Sequence, residues 1–304
     1  ITWFNLLGKM IHRKPNLCYY ALTTTGSGFY KDVFLVATIR LFGAKIVYHI
    51  HNRGIIEVNK RKFNHLLYKF VFRNTDVILL SKHLYYDVKS YVEEDRIYYC
   101  PNGIKDYEPN AALLTLSENR PFNILFFSNL LTEKGVFILI EACALLKEKG
   151  YIFQCDFVGG EGDINEKQFN AFVEEKGLSA QAKYMGTRYG KLKEMSFEQA
   201  DVFVLPSQCD CFPLVILEAM QHNLPVITSC EGGMPDMVDD GITGFLIAPY
   251  DDIKLLAEKL EFMLTNPALR KQMGIYGRKK YERSFTLSIF EQRLISIMQK
   301  ITNK

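Results

Sequence analysis

Short strand-like runs alternate with helical patterns along almost the whole chain, and this alternation limits its fold more than any other feature. The strand-like runs are rich in β-branched and aromatic residues, whereas segments such as 135–149 repeat apolar residues at helical spacing. Such alternation predicts parallel sheets with helices on both faces, an α/β fold. The ten predicted strands are Leu17–Thr23, Lys45–His51, Asp76–Ser81, Ile97–Pro101, Phe122–Ser128, Phe153–Gly159, Lys183–Gly186, Asp201–Pro206, Pro225–Ser229 and Gly244–Ile247.

A polar, breaker-rich segment divides the chain into two predicted domains. A length of 304 residues is ample for two hydrophobic cores. The strand–helix rhythm stops before this segment and restarts at Phe122. The last predicted helix either caps the second domain or crosses back to the first. The predicted parts are a first domain at 1–108, a linker at 109–120, a second domain at 121–285 and a C-terminal helix at 286–304.

Composition indicates an ordinary globular protein of the cytoplasm. Hydrophobic residues make up 48% and charged residues 23% of the chain, and no apolar run reaches the length of a membrane span. The seven cysteines are odd in number and scattered, which is typical of a reducing compartment rather than a disulfide framework. Cys209 and Cys211 fit no zinc-binding spacing, so no metal site is expected.

Positive charge is concentrated in the first third of the chain. Residues 1–108 contain 16 Lys and Arg against 9 Asp and Glu, whereas the remainder contains 21 against 25. Segment Asn59–Phe72 combines cations and apolar residues at helical spacing. It predicts either a helix lying on an anionic membrane or a helix packed on the first sheet with its charges in water. No nucleic-acid-binding signature accompanies the basic residues.

The stretch from Asp201 to Ile247 contains the residues best suited to binding a nucleotide. Asp210 lies in a predicted loop and Glu218, after seven intervening residues, in the following helix, predicted at 212–222. Free amides at the start of a helix bind phosphate, and a carboxylate further in accepts hydrogen bonds from a ribose diol. Pro at the first turn loses no hydrogen bond there. The residues expected to open the helix are Cys211, Phe212, Pro213, Leu214 and Val215.

This stretch resembles the donor site of glycosyltransferase family 4, a family of retaining enzymes with the GT-B fold. Two acidic residues separated by seven positions are the signature of the family, and they fall here on Asp210 and Glu218. Three further segments resemble family motifs and occur in the family order. They are "RIYYCPNGI", "SNLLTEKGVFILIEACALL" and "KIVYHIHN". The resemblance implies two Rossmann-like parallel-sheet domains facing across a cleft.

The resemblance also implies a role for individual residues. Glu218 would hold the ribose hydroxyls of a nucleotide diphosphate sugar, and Asp210 would contact the donor sugar. Lys134 would bind the diphosphate and stabilise the charge that develops on the leaving group. Gly232 and Gly233 would bring backbone close to the donor, because glycine permits positive φ and close approach.

His51 would face the donor sugar from the first domain. His49 and His51 lie on one face of the predicted strand, and His51 is favoured because it is last in the strand. The chain begins with Ile, not Met, so it is expected to start inside a longer protein. On this interpretation the first domain lacks the first strand and the Gly-rich loop of the family.

Several positions depart from the family pattern. Ser128 and Asn129 stand where the family commonly has Gly and a basic residue, so Asn129 replaces one diphosphate cation. Asp210 replaces a longer Glu, and Cys211 replaces a Gly. Asn223 stands where Gly usually ends the donor helix, a mild change because Asn is the next best residue for a left-handed cap.

The expected function is transfer of a sugar from a nucleotide diphosphate sugar to a glycan or lipid-linked acceptor in cell-surface polysaccharide assembly. No cofactor is required, and the expected location is the cytoplasm, at the inner face of the membrane if the basic helix binds lipid. A second hypothesis is a protein that binds nucleotide sugar as a scaffold and has lost turnover. A glycosidase has no need of a phosphate-binding site, and the glycines of 157–163 lack the spacing of a dinucleotide fingerprint.

Overall fold

Two compact units make up the chain. The structure, a computed structural model, describes residues 3–13, 15–107 and 120–303. One unit comprises Ile1–Asn102 with Phe290–Lys304, and the other comprises Gly103–Ile289. The predicted linker at 109–120 lies outside the described residues except for Arg120.

All ten predicted strands are present, with bounds within two residues of those expected. They are β1 Leu17–Ala21, β2 Lys45–Ile50, β3 Asp76–Leu79, β4 Ile97–Tyr99, β5 Phe122–Phe127, β6 Phe153–Val158, β7 Ala182–Tyr184, β8 Val202–Leu205, β9 Val226–Ser229 and β10 Gly244–Ile247. The helices are α1 Trp3–Arg13, α2 Gly26–Leu41, α3 Ile55–Val58, α4 Lys62–Phe72, α5 Tyr85–Val88, α6 Val136–Glu148, α7 Glu166–Glu175, α8 Lys191–Glu198, α9 Leu214–Gln221, α10 Met234–Met237, α11 Ile253–Thr265, α12 Pro267–Ser284 and α13 Leu287–Thr302.

The first unit is a four-stranded parallel sheet in the order β1-β2-β3-β4. Helices α1, α2 and α4 cover one face, where Phe29, Tyr68 and Phe72 belong to the main core. Helix α13 covers the other face, where Ile297 and Ile301 pack in one cluster with residues of β2 and β3. Helices on both faces explain why β2 and β3 are buried along almost their whole length instead of alternating between buried and exposed residues.

The second unit is a six-stranded parallel sheet in the order β10-β9-β8-β5-β6-β7. At its centre Ile124 of β5 is in register with Cys155 of β6 on one side and with Val202 of β8 on the other. From β5 the chain therefore builds the sheet first to one side and then to the other. The expectation of two Rossmann-like parallel-sheet domains is confirmed.

Two local predictions have different outcomes. Asn223, just after α9, has a φ of +56°, so its prediction as a left-handed cap is confirmed. The prediction of a single helix over 59–72 is wrong at its start. Helix α4 begins only at Lys62, and a separate short helix, α3, precedes it.

Candidate functional site

Three loops of the second unit meet at the carboxyl ends of its central strands. The loop after β5 contains Asn129 and Lys134, the loop after β8 contains Asp210, and the loop after β9 contains Gly232. The neighbours β5 and β8 are the strands at which the order of the sheet reverses. Ligands of open α/β sheets bind outside the strand ends at such a switch point.

Close backbone packing places Lys134 against the loop after β8. Lys134 ends a short 3₁₀ turn, and the next residue, Gly135, has a φ of +80°. A Cβ on Gly135 would lie 2.2 Å from the carbonyl oxygen of Pro206, so only glycine fits there. The amide of Gln208 donates to the carbonyl of Glu133 at 2.8 Å and fastens the two loops together.

Lys134 and Asp210 form an ion pair in which Nζ lies 2.9 Å from Oδ1. The same Nζ donates to the carbonyl oxygen of Cys209 at 3.1 Å. An ammonium has three N–H donors, so among the described residues one donor has no contact. The second carboxylate oxygen of Asp210, Oδ2, is buried and has no hydrogen-bond partner within the described parts of the chain. The pair thus contains one cationic N–H and one buried carboxylate oxygen without a partner among the described residues.

The loop after β9 packs against the backbone of the loop that carries Asp210. Gly232 has a φ of +53°, and a Cβ there would lie 1.8 Å from the carbonyl oxygen of Asp210. The amide of Gly233 donates to the carbonyl of Cys211 at 2.7 Å. The two glycines therefore bring backbone against the loop that carries Asp210, and through that loop they set its position.

Helix α9 begins later than expected. It starts at Leu214 with Pro213 as its N-cap, instead of starting at Phe212. Pro213 sets this start, because its backbone is extended, with a ψ of 112°, and so precedes the helix. Its carbonyl oxygen accepts the first hydrogen bond of the helix, from the amide of Ile216, at 3.1 Å. The first-turn amides of Leu214 and Val215 have no acceptor inside the helix. Phe212 instead serves the core: it is buried, with its ring 5.8 Å from that of Phe285.

Glu218 lies in the second turn of α9 and forms an ion pair with Lys193 of α8. Nζ of Lys193 is 2.7 Å from Oε1 of Glu218, and each side chain is about one quarter exposed. Sequence reasoning missed Lys193 because it belongs to no motif and its helix precedes β8. A second contact joins α8 to the residue that follows α9, since Nε2 of His222 lies 3.0 Å from a carboxylate oxygen of Glu194, although the geometry is not that of a hydrogen bond.

Asn129 contributes its side chain to the structure of the loops. Its Oδ1 accepts a hydrogen bond from the amide of Gly160 at 3.0 Å, which joins the loop after β5 to the loop after β6. A Cβ on Gly160 would lie 3.2 Å from that same oxygen. The side-chain carbonyl of Asn129 is thus occupied by backbone, while the side chain as a whole remains exposed.

His51 belongs to the first unit, where it directly follows β2. Its ring centroid lies 4.2 Å from that of His49, whose Nδ1 is 2.5 Å from the hydroxyl of Tyr19. Desolvation, together with the charge of His51, lowers the pKa of His49 to about 4, and desolvation also lowers the pKa of His51. Both imidazoles are therefore predominantly neutral at pH 7, and each has one ring nitrogen that can donate a hydrogen bond and one that can accept a hydrogen bond.

Solved structures of similar fold support the two-domain α/β architecture. The chain aligns with Alr3699/HepE of Anabaena, solved in complex with UDP, with a TM-score of 0.81 and 19% identity over 98% of this chain and 81% of that one. It aligns with a sucrose-phosphate synthase of Thermosynechococcus elongatus with a TM-score of 0.80 and 20% identity, over 97% and 76% of the two chains. At these identities the likeness concerns the fold.

Curated relatives match a large part of the chain. The amylovoran biosynthesis glycosyltransferase AmsK of Erwinia amylovora is 29% identical over 64% of this chain and 49% of its own length. The capsular polysaccharide biosynthesis glycosyltransferase CapM of Staphylococcus aureus is 27% identical over 75% of this chain and 62% of its own length. The chain thus spans about half to three fifths of the length of these two relatives.

A family profile matches the region that contains the site. Its description is Glycosyl transferases group 1, and the match covers residues 115–280. The match takes in Lys134, Asp210 and Glu218 and extends over more than half of the chain. The resemblance drawn from the motifs is confirmed, and the chain belongs to the glycosyl transferases group 1 family.

Proposed function

We propose that this chain carries the donor site of a retaining glycosyltransferase, which moves a sugar from a nucleoside diphosphate sugar to a glycan or lipid-linked acceptor. The family and the names of the curated relatives support a role in polysaccharide assembly. The UDP bound in the structure of HepE makes a uridine diphosphate sugar the first donor to test.

One observation carries the proposal: the two oxygens of Asp210 have different surroundings. Oδ1 is paired with Lys134, whereas Oδ2 is buried without a partner among the described residues. A buried acceptor without a donor costs about 1–3 kcal/mol. A hydroxyl of a bound sugar would supply that donor, at the switch point where a ligand is expected. The site therefore fits a hydroxyl-rich donor next to a cation.

The neighbouring groups suit the rest of the donor. The uncontacted N–H of Lys134 and the first-turn amides of Leu214 and Val215 provide positive partial charge for a diphosphate. Lys134 would stabilise the charge that develops as the bond between the anomeric carbon and the phosphate oxygen breaks. Glu218, held by Lys193 through Oε1, would offer Oε2 to the ribose hydroxyls.

The proposed reaction needs no general base from the second unit. The acceptor oxygen bonds to the anomeric carbon on the face that the diphosphate leaves, so the configuration is retained. The proton of the acceptor hydroxyl passes to the departing phosphate oxygen. The contact of His51 with the donor sugar, which the family resemblance implies, stays a prediction, and the scheme gives His51, neutral at pH 7, no part in proton transfer.

A nucleotide-sugar screen tests the proposal. The apparent Tm would be measured with sugars linked to UDP, GDP, ADP and dTDP, and with a CMP-linked sugar as a control that lacks a diphosphate. A specific donor at a hundredfold excess over its Kd stabilises the folded state by about 2.7 kcal/mol. Asp210→Asn should keep the stabilisation by the nucleoside diphosphate alone and lose the increment from the sugar.

The results separate the alternatives. If no nucleoside diphosphate raises Tm, or if Asp210→Asn responds to sugar nucleotides as the unchanged chain does, the proposed site is wrong. Stabilisation by a donor without transfer or release of its sugar would favour the second hypothesis, a protein that binds nucleotide sugar as a scaffold.

A further inference from the structure

The second unit begins with a short segment that lies against the end of helix α9. The entry segment is the name used here for residues Gly103–Tyr107, with which that unit starts. Helix α9 contains Glu218 and ends at Gln221. The contacts between these two parts of the chain involve none of the residues that are proposed to touch the donor.

The side-chain amide of Gln221 binds the entry segment directly. Its Nε2 donates to the carbonyl oxygen of Lys105 at 2.7 Å and to the hydroxyl of Tyr281, on α12, at 2.8 Å. That hydroxyl donates in turn to the carbonyl oxygen of Ile104 at 3.0 Å. Because Gln221 is only 6% exposed and Tyr281 is fully buried, water competes little for these hydrogen bonds.

A second set of contacts holds the same end of α9. The guanidinium of Arg278, on α12, donates to both carboxylate oxygens of Asp106 at 2.8 Å and to the backbone carbonyl of Gln221 at 3.2 Å. The ring of Tyr107 stacks on that of His222, with centroids 4.3 Å apart. These contacts tie the rest of the entry segment to α12 and to the end of α9.

The entry segment is also joined to the stretch by which the chain leaves the second unit. Ile104 forms a parallel bridge with Thr286. The amide of Ile104 donates to the carbonyl oxygen of Phe285 at 3.0 Å, and its own carbonyl oxygen accepts from the amide of Leu287 at 2.8 Å. The second unit ends at Ile289. The passages of the chain into and out of this unit are therefore fastened to each other beside the end of α9.

About one turn of helix separates this anchor from Glu218. His222 spans the turn, because its Nδ1 lies 2.8 Å from the backbone carbonyl oxygen of Glu218. A carbonyl oxygen only accepts, so the imidazole nitrogen is the donor. Helix α9 has 8 residues, about two turns, so it moves as one short rigid piece. The position of the carboxylate of Glu218 therefore depends on how the last turn is held.

We propose that the entry segment positions α9 for donor binding, and that Gln221 is the residue through which it does so. The inference rests on the proposed function, in which Glu218 holds the ribose of the donor. Gln221 is thus a positioning residue that acts through Glu218 without touching the donor. Because coupling between two sites is reciprocal, a donor bound at Glu218 stabilises the entry segment in return.

Gln221→Met tests the inference on donor affinity, because methionine keeps the length of the side chain and has no N–H donor. Isothermal titration of the full chain with UDP should give a Kd raised at least about fivefold, the lower end of the usual coupling between sites. In the Glu218→Gln background the same change should cause no further loss. Tyr281→Phe removes another link of the same hydrogen-bonded chain and should also raise the Kd, so the test stands even if Gln221→Met does not fold.

Thr243→Val is the matched control. Thr243 is 3% exposed, and its hydroxyl oxygen accepts a hydrogen bond from the amide of Asp239 at 2.9 Å. The control loses a buried hydrogen bond of the same unit just before β10, at the amino end of a strand, whereas the candidate site lies at the carboxyl ends. Both variants should lower the Tm, and only Gln221→Met should weaken UDP binding.

Hydrogen exchange of the backbone amides separates positioning from a general loss of stability. Without nucleotide, Gln221→Met should speed exchange in α9, and Thr243→Val should not. In the unchanged chain UDP should slow exchange in the entry segment, as reciprocal coupling requires. Gln221→Met should abolish that protection.

Two outcomes would overturn the inference. One is an equal effect of Gln221→Met and Thr243→Val on the Kd for UDP. The other is exchange in α9 that Gln221→Met leaves unchanged when no nucleotide is present. The second measurement needs no donor, so it decides the inference even if the unchanged chain binds no nucleoside diphosphate, the result that would contradict the proposed function.

Discussion

At the scale of single residues, the surroundings of Lys134 determine how its charge can act. Its Nζ is held between Asp210 and the carbonyl of Cys209, and its side chain is only 16% exposed. A cation held in this way is preorganised, because no large rearrangement is needed when negative charge develops nearby.

Lys134→Met should therefore reduce donor turnover by about 10²–10³, the usual effect of removing one preorganised electrostatic contact. It should also weaken the thermal stabilisation by a nucleoside diphosphate. Lys167→Met, a change at an exposed position of α7, is the control and should have no effect. Unchanged diphosphate binding in Lys134→Met would remove Lys134 from the site.

Gly232→Ala tests how closely the loops after β8 and β9 approach each other. Its Cβ would lie 1.8 Å from the carbonyl oxygen of Asp210, at a φ of +53°. Gly241→Ala is the control, since Gly241 has a φ of +73° but no heavy atom within 4 Å of its Cβ. In the control, the free energy of unfolding should fall by about 1–2 kcal/mol because of left-handed strain. In Gly232→Ala it should fall by about a further 1–3 kcal/mol because of crowding. Chemical denaturation would measure both, and equal losses would contradict the packing argument.

At the scale of elements, α8 supports the side of α9 that is proposed to face the ligand. The Lys193–Glu218 bridge and the Glu194–His222 contact join the two helices. The ring of His222 also stacks between those of Tyr107 and Phe197, at 4.3 and 5.1 Å. Helix α8 can therefore fix the rotamer of Glu218, which is the part of α9 proposed to hold ribose.

A double-mutant cycle on donor affinity tests this support. Lys193→Met should weaken nucleoside diphosphate binding about 5–10-fold, whereas the double variant with Glu218→Gln should be no weaker than Glu218→Gln alone, because Lys193 acts through Glu218. The free energy of unfolding should change by less than about 1 kcal/mol, since both side chains are partly exposed. Lys191→Met, on the same helix, is the control. Additive losses would contradict positioning through Glu218.

At the scale of the whole molecule, buried titratable groups make stability depend on pH. His49 is 1% exposed in the first unit, and its pKa is lowered from 6.5 to about 4 by desolvation and by the charge of His51. Between these two values the unfolded chain binds a proton that the folded chain excludes. The contribution is therefore complete above about pH 6.5 and is lost as the pH falls to about 4.

The loss attributable to His49 should amount to about 3 kcal/mol across this window. His49→Asn should remove that part of the slope when the free energy of unfolding of the first unit is measured by denaturation from pH 7 to pH 4. His12→Asn, at an exposed position near the end of α1, should keep the slope. Equal slopes in all three proteins would show that His49 does not govern the acid sensitivity.

The amino-acid sequence alone determined the elements of this protein. Ten strands were predictable because buried parallel strands are short, apolar runs, and the left-handed cap at Asn223 was predictable because few residues adopt that conformation. The pair Asp210 and Glu218 could be identified by local spacing and family motifs. Such properties depend on neighbours along the chain, which a sequence displays directly.

Only the tertiary structure decided how distant residues meet. The order of the second sheet places Lys134 2.9 Å from Asp210, and the packing of α8 on α9 pairs Lys193 with Glu218. The tertiary structure also revealed Pro213 as an N-cap, and it showed that α4 packs on the first sheet through Tyr68 and Phe72. Strand order and helix packing depend on the free energy of the whole core, which adds contributions from residues far apart along the chain. No local sequence pattern encodes this total.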